Sequence, residues 1–418
     1  ETAAVLSPDG WLDTGDLGYR LGNEVVVTGR AKDLIIVSGF NVFPAEVEDL
    51  ILGCGAPGGE QGGNLGRVVA VLAGLPSVPG TTITRFCSSS LQSTRMAFHA
   101  IRAGEGDVFV SAGVESASRL DRGASDEDTR NPAFRSAWER SARRAEGDAP
   151  VWTDPAEEGE LPDVYIAMGQ TAENVAQLRG VSRQAQDEYA VRSQQLTEKS
   201  QASGFWDREI SPLVLPDGIR VTRDDSPRAG TTLEAVSQLN PVFRPDGTVT
   251  AGNACPLNDG AAALVVMSDV KAQQLGLKPL ARVVSTGVSG LSPEIMGMGP
   301  VEASKQALAR AGMSIGDIDL YEINEAFAAQ VLCTLRAWES EDYCKNRLGL
   351  DAPLGRIDPA KINPNGSSLA AGHPFAATGA RDLSQAVKEL WAKPPGSLAI
   401  VSVCADGGHG TVSLLRRP

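Results

Sequence analysis

Histidine and cysteine are both scarce in this 418-residue chain, with three of the first and six of the second. The cysteines stand alone at Cys54, Cys87, Cys255, Cys333, Cys344 and Cys404, and no two form a C-x-x-C pair. That spacing argues against a structural zinc site, and no metal is expected. Taken one at a time, such cysteines are ordinarily buried, reduced thiols of a cytosolic protein, so a cytoplasmic location is expected. Long apolar runs are missing too. Stretches such as Ala261 to Met267 fall far short of the roughly 20 residues of a membrane-spanning helix. There is no basic surplus: 38 Lys and Arg face 52 Asp and Glu, for a net charge of -14. This excludes nucleic acid and an anionic membrane as general partners, and leaves a polyanionic ligand only a local basic spot. The first residues, Glu1-Thr-Ala-Ala4, lack both an initiator Met and a basic segment leading into an apolar run. No signal peptide is expected from them, and the chain reads as a fragment or as processed.

What is present is a chain long enough for two or more domains, with strand and helix signals in alternation and many glycines, the pattern of α/β layers. Val108-Phe-Val-Ser-Ala-Gly113 and Leu398-Ala-Ile-Val-Ser-Val-Cys404 read as buried strands, and Asp317 to Glu322 as a shorter one. Ser88 to Ala103 reads as a helix with Leu91, Phe98 and Ile101 on one face, and Thr171 to Ser203 is mostly helical. Arg119 to about Asp163 is charged and poorly periodic, a surface excursion. One order occurs twice: Cys87, a helix and the strand ending near Val114, then His373, a helix from Ala377 to Leu390 and the strand ending near Ala405. Duplicated α/β units would bring both helix starts to one surface.

Chemistry is legible at three places. In Arg85-Phe-Cys-Ser-Ser-Ser90 a cysteine at a helix start faces free N–H groups and the positive end of the dipole, which favours a thiolate nucleophile. In Gly372-His-Pro374, within a Gly- and Ala-rich run, a histidine can take a thiol proton near neutral pH. In Cys404-Ala-Asp-Gly-Gly-His-Gly410 a second thiol ends a buried strand beside N–H groups that a turn can aim at an oxyanion. His409 is expected to be a turn or packing residue.

From about Asp49 to Pro418 the chain resembles the thiolase family. The motifs occur in the family's order: Arg85 to Gln92, Ser111-Ala-Gly-Val-Glu-Ser116, Gly169-Gln-Thr-Ala-Glu-Asn174, Thr248-Val-Thr-Ala-Gly-Asn-Ala254, Asn258-Asp-Gly-Ala-Ala-Ala263, Asn324-Glu-Ala-Phe327, Gly372-His-Pro374 and the Cys404 turn. Related condensing enzymes generally pair the cysteine with His-His or His-Asn. The set here is that of thiolases proper. The resemblance implies a duplicated α/β/α layered fold with an inserted loop domain. It implies an acetyl-CoA acyltransferase that needs no cofactor, with acyl-CoA, acetyl-CoA and CoA as its substrates, active in lipid metabolism and fatty acid β-oxidation. Cys87 would take the acyl group with His373 activating it, and Cys404 would move the α-proton of acetyl-CoA. Asn324, through a water, and His373 would form one oxyanion hole, and the N–H groups of Cys87 and Asp406 the other. Coenzyme contacts fall at Met168, Arg228, Phe243, Ala251 and Cys255. A homodimer or homotetramer is implied as well.

Some positions depart from the family. Asp406 stands where many members have Gly, adding charge near an oxyanion. Ala167 replaces a His and Cys255 a Ser. Phe375-Ala-Ala377 leans toward degradative members. Residues 1–48 do not resemble a thiolase start, which supplies a central strand and a long helix. They resemble the hinge region of adenylate-forming acyl-CoA ligases, with Asp16 in the ribose-binding motif Trp11 to Gly18 and Lys32 at the pivot of Gly29 to Gly39. The expected division is a ligase-like fragment at 1–48, a thiolase N-terminal half at 49–268 with a loop domain at about 119–249, and a C-terminal half at 269–418. Asp33 to Ser38 is expected to fill the central strand's slot, and Pro44 to Leu52 to supply a shortened helix. Competing with an active thiolase are an inactive thiolase-like subunit or fusion remnant and an acyl-CoA ligase fragment. The last fails because no Gly/Ser/Thr-rich phosphate loop precedes residue 11 and no ligase C-terminal lysine segment follows.

Overall fold

The computed structural model describes residues 46–122, 130–215 and 217–418, and before them the backbone of four short strands. Those four are β1 (Asp16–Leu21), β2 (Glu24–Arg30), β3 (Ile35–Val37) and β4 (Phe40–Val42). Among the described residues they pair with each other, β1 with β2 and β3 with β4.

Two four-stranded sheets form the framework. The N-terminal sheet contains β5 (Asp49–Cys54), β6 (Gly80–Ile83), β7 (Val108–Ser116) and, beyond a small surface hairpin of β8 (Leu213–Val214) and β9 (Arg220–Val221), β10 (Asp259–Met267), in the order β10-β7-β5-β6. The C-terminal sheet contains β11 (Arg282–Gly290), β12 (Leu320–Ile323), β13 (Leu398–Ala405) and β14 (His409–Arg416), in the order β11-β14-β13-β12. Fully buried runs such as Leu398–Ala405 are apolar without alternation because both faces of the sheet are covered.

Between the sheets lie two helices, Ser89–Ala103 and Phe375–Leu390, which pack on each other and on strands of both sheets. Small residues set their spacing. A Cβ at Gly379 would strike Leu91, and the Ala380 N–H donates to Ser90 Oγ at 2.8 Å. Leu65–Leu72 covers the outer face of the first sheet and Gly299–Ala311 that of the second, which gives five layers, α/β/α/β/α. The twofold repeat legible in the sequence is therefore physical: each half contributes one reactive residue, one central helix and one buried strand. No helix among the described residues is long and apolar enough to cross a membrane.

The expectation for the first strand needs correction. β5 already occupies the interior of its sheet, between β6 and β7. In the C-terminal half the first strand, β11, sits at the edge, antiparallel to β14. The matching place in the N-terminal half is the outer edge of β10, whose only partner among the described residues is β7. The empty place is thus an edge with one row of unpaired groups, which water can satisfy, and not a central slot. Ile35–Val37 pairs with β4 and does not enter this sheet, and the expected helix from Pro44 is replaced by strand from Asp49. The physical consequence is uneven burial. β14 is buried along its middle, whereas β10 is half-buried or exposed throughout. Leu414→Ala should therefore cost about 2–5 kcal/mol, while Val265→Ala on β10 should cost about 1 kcal/mol or less. Thermal melts of the two variants test this, and equal losses would mean that β10 is covered.

Candidate active site

Cys87 sits in a single 3-10 turn, Phe86–Ser88, immediately before the Ser89–Ala103 helix. The turn is tight enough to hold Phe86 at φ +44°, one of only three non-glycine residues with positive φ among those described. Serines lock it: the Arg85 N–H donates to Ser89 Oγ at 2.9 Å, and Ser89 Oγ donates to the Phe86 carbonyl at 2.7 Å. The turn packs against both the Phe375–Leu390 helix, which His373 precedes, and β13, which carries Cys404.

Cys404 lies at the end of β13, paired across the ladder with Gly410. The chain then reverses through Gly407 and Gly408, both at positive φ. Asp406, which opens this turn where many members have Gly, is not among the residues at positive φ. Its backbone lies beside Cys87 and favours the thiolate there, and its carboxylate accepts from the Gly407 N–H at 2.5 Å. His409 contacts the Asp406 carbonyl through Nδ1 at 3.0 Å, a turn role as expected.

His373 is buried beside the start of its helix. Its Nδ1 lies 2.7 Å from Thr378 Oγ1, and that hydroxyl donates to the Pro374 carbonyl at 3.3 Å. With that hydroxyl donating to Pro374, its oxygen is available to accept from Nδ1, an arrangement that favours the tautomer protonated at Nδ1. Nε2 keeps its lone pair and has no partner among protein atoms. Asn258 Oδ1 accepts from the His373 N–H at 3.1 Å and fixes the backbone. Asn324 shows a parallel asymmetry: Oδ1 accepts from Ser368 Oγ at 2.6 Å, while buried Nδ2 has no protein partner. One free acceptor and one free donor, both buried, thus come from the two motifs singled out in the sequence.

Burial dominates the electrostatics. It pushes the Cys87 thiol well up, with the neighbouring Cys404, Asp406 and Cys255 adding to the shift. Cys404 and Cys255 are each pushed up to about 12. Burial, helped by Arg381, lowers His373 to about 3. The resting site therefore holds neutral thiols and a neutral imidazole, not a thiolate–imidazolium pair. Burial also raises Asp406 to about 6, so its carboxylate is charged above that pH and neutral below it. A charged Asp406 opposes a thiolate at Cys87. Asp406→Asn should accelerate iodoacetamide labelling of Cys87 roughly 3- to 10-fold near pH 8, and the ratio to wild type should fall to one near pH 5. Peptide mass spectrometry reads this, and a pH-independent ratio would refute the electrostatic origin.

The residues expected at the coenzyme fall in two groups. Arg228 and Ala251 line one cleft of about 210 Å³, together with Ser226, Thr231, Leu239 and Leu369. Met168 and Phe243 instead pack on the C-terminal core, and Cys255 is tied by its N–H to the Ala326 carbonyl. Phe243 can lie against the start of the Met168–Arg179 helix because residue 169 is Gly, as its ring occupies the place of a Cβ. Sequence reasoning missed three supports: Thr378, which sets the imidazole tautomer; Asn258 as its backbone anchor; and Glu325. Buried Glu325 accepts from Tyr189 at 2.9 Å, Ser193 at 2.6 Å, Asn363 at 2.8 Å and the Leu369 N–H at 3.2 Å, and so braces the Asn324 turn. Only Glu325's place within Asn-Glu-Ala-Phe hinted at it.

Comparison with known proteins agrees with this geometry. The thiolase N-terminal domain family matches residues 31–270 and the thiolase C-terminal domain family residues 277–417. The chain belongs to the thiolase family. As a thiolase it is an acyltransferase. The N-terminal match begins inside the segment that resembles the ligase hinge. The chain is 39% identical to a beta-ketoadipyl-CoA thiolase of Acinetobacter baylyi over 384 residues, covering 89% of this chain and 88% of that one. It is 40% identical to an acetyl-CoA acetyltransferase of Cupriavidus necator over 383 residues, covering 90% and 89%. It is 37% identical to a 3-ketoacyl-CoA thiolase of Aeromonas hydrophila over 401 residues, covering 93% of each. The crystal structure of the Bacillus anthracis acetyl-CoA acetyltransferase superposes with a TM-score of 0.72 at 36% identity, over 90% of this thiolase and 88% of that chain.

Proposed function

We propose that this thiolase is an acetyl-CoA C-acyltransferase. It cleaves 3-ketoacyl-CoA with CoA, or runs the reverse Claisen condensation, through an acyl group on Cys87. The observation that carries the reading is the pair of unpartnered buried atoms, His373 Nε2 and Asn324 Nδ2, in the site where the Cys87 turn meets β13 and the His373 helix. In cleavage the Cys87 thiol attacks the 3-keto carbonyl as Nε2 takes its proton, and the C2–C3 bond breaks to release acetyl-CoA as its enolate. In synthesis the thiol attacks the thioester carbonyl of acyl-CoA, and the proton passes from Nε2 to the departing CoA sulfur. The N–H groups of Asp406 and Cys87 then stabilise the oxyanion formed at the carbon bound to Cys87. Cys404 protonates the departing acetyl enolate, or removes the α-proton of acetyl-CoA in the synthetic direction. Asn324, through a water, and His373 stabilise the enolate oxygen. Arg228 serves the coenzyme's phosphates in the cleft beside Ala251, and the pantetheine arm runs toward Cys255.

The relatives act on different acyl groups by name, so acyl chain length is the finer question. A thiolysis series over 3-ketoacyl-CoA chain lengths, monitored by CoA consumption, tests both the activity and its preference. A folded enzyme with no turnover on any chain length overturns the reading in favour of an inactive thiolase-like subunit.

A further inference from the structure

A cleft of about 600 Å³ opens at the far end of the Ser89–Ala103 helix, between that helix, β11 and the end of the Gly299–Ala311 helix. Three of its side chains are cationic, Arg95, Arg102 and Arg310, with His99 and Phe98 among them. In a chain of net charge -14 this concentration needs a reason. Helix C-termini account for Arg102, which also lies over the Phe98 ring at 5.6 Å, and for Arg310, but not for Arg95. Arg310 is aimed by the Thr286 carbonyl, which accepts from Nη1 at 2.5 Å. Arg95 has a buried Nε with no hydrogen-bond partner. No carboxylate forms a salt bridge with any of the three arginines among the described residues. The cations disfavour one another: Arg95 is lowered by burial and by Arg85 and Arg310, and His99 by burial and by Arg95, Arg310 and Arg102. The cleft shares no lining residue with the one beside Arg228, and it lies at the opposite end of the helix from Cys87.

We propose that this cleft binds a compact polyvalent phosphate, either inorganic diphosphate or the phosphate chain of a nucleotide, at a site separate from the coenzyme's. Guanidinium groups present paired N–H donors that match phosphate oxygens, and a multivalent anion relieves the repulsion among them. The site is read by isothermal titration of the full-length enzyme at about 150 mM salt, with sodium diphosphate and with ATP. Saturable binding is expected, with affinity falling at least tenfold in Arg95→Gln/Arg310→Gln. It should also fall in Arg102→Gln, an exposed position that keeps the test valid if the double variant misfolds. Arg228→Gln should leave diphosphate binding unchanged. Equal affinities for diphosphate and ATP identify the phosphate chain as the ligand chemistry, and tighter ATP binding identifies a nucleotide. Absence of saturable binding by both anions overturns the proposal, as does binding that the cleft variants leave intact or that Arg228→Gln removes.

Discussion

Cys87→Ala should lower thiolysis by on the order of 10⁴-fold or more and should abolish acetyl labelling of the protein by acetyl-CoA. Three thiols lie close together here: Cys404 and Cys255 both raise Cys87, and Cys404 raises Cys255. All three are held neutral by burial, so acidity alone does not choose among them. Geometry does. Cys87 stands in the turn that opens the Ser89–Ala103 helix, with the Asp406 backbone beside it. Charge forming on that sulfur, or on an oxyanion beside it, meets N–H groups and the helix dipole. Cys404 ends a strand, and Cys255 sits in a loop whose N–H is committed to Ala326. Neither has a helix start beneath it. The measurement is brief incubation with acetyl-CoA, an acid quench and peptide mass spectrometry. Acetyl on Cys404 or Cys255 with none on Cys87 would remove the assignment. An intact melting temperature in Cys87→Ala separates loss of chemistry from loss of fold.

Most of the framework was legible because its signals are local. The helix expected at Ser88 to Ala103 is found at Ser89–Ala103, and the strand at Leu398 to Cys404 extends one residue to Ala405. The twofold repeat was legible as a repeated order of elements. Its meaning, two helices in contact between two sheets, needed Gly379 and Ser90 to be seen face to face. What failed was sheet position. Asp33 to Ser38 has the composition of a buried strand, but composition does not say which neighbour a strand finds, and β3 pairs within its own hairpin. The first strand's place at an edge followed only from comparing β11 with β10. The supports of the site were hidden for a related reason. Thr378 is five residues from His373 and reads as an ordinary helix residue until its hydroxyl is seen bonded to Pro374. Tyr189, Ser193 and Asn363 reach Glu325 across separations of 136, 132 and 38 residues, beyond any local pattern.

The second large effect separates the two half-reactions. Under the proposed roles, Cys404→Ala should leave acetylation of Cys87 within a few-fold of wild type. It should lower overall turnover on the order of 10³-fold or more and abolish exchange of acetyl-CoA α-protons with deuterated water. The argument rests on where the proton must go. Acylation of Cys87 needs an acceptor for the thiol proton, and His373 Nε2 supplies it with its lone pair free. Enolate formation needs a second base at the α-carbon, because the role proposed for His373 there is at the enolate oxygen. Cys404 is the neighbouring titratable thiol at the end of β13, directly before the Asp406 turn. Its pKa of about 12 in the free site makes it a poor resting thiolate, yet a proton acceptor strong enough for a carbon acid once deprotonated. Replacing Cys404 by Ala removes little volume from a fully buried position, so the melting temperature should change modestly. Thr378→Val makes the complementary variant. It takes away the acceptor that holds the imidazole proton on Nδ1, and should slow acylation and exchange together. If Cys404→Ala retained exchange near the wild-type rate while Thr378→Val lost it, the α-proton would belong to His373, and Cys404 would be a packing thiol beside the nucleophile.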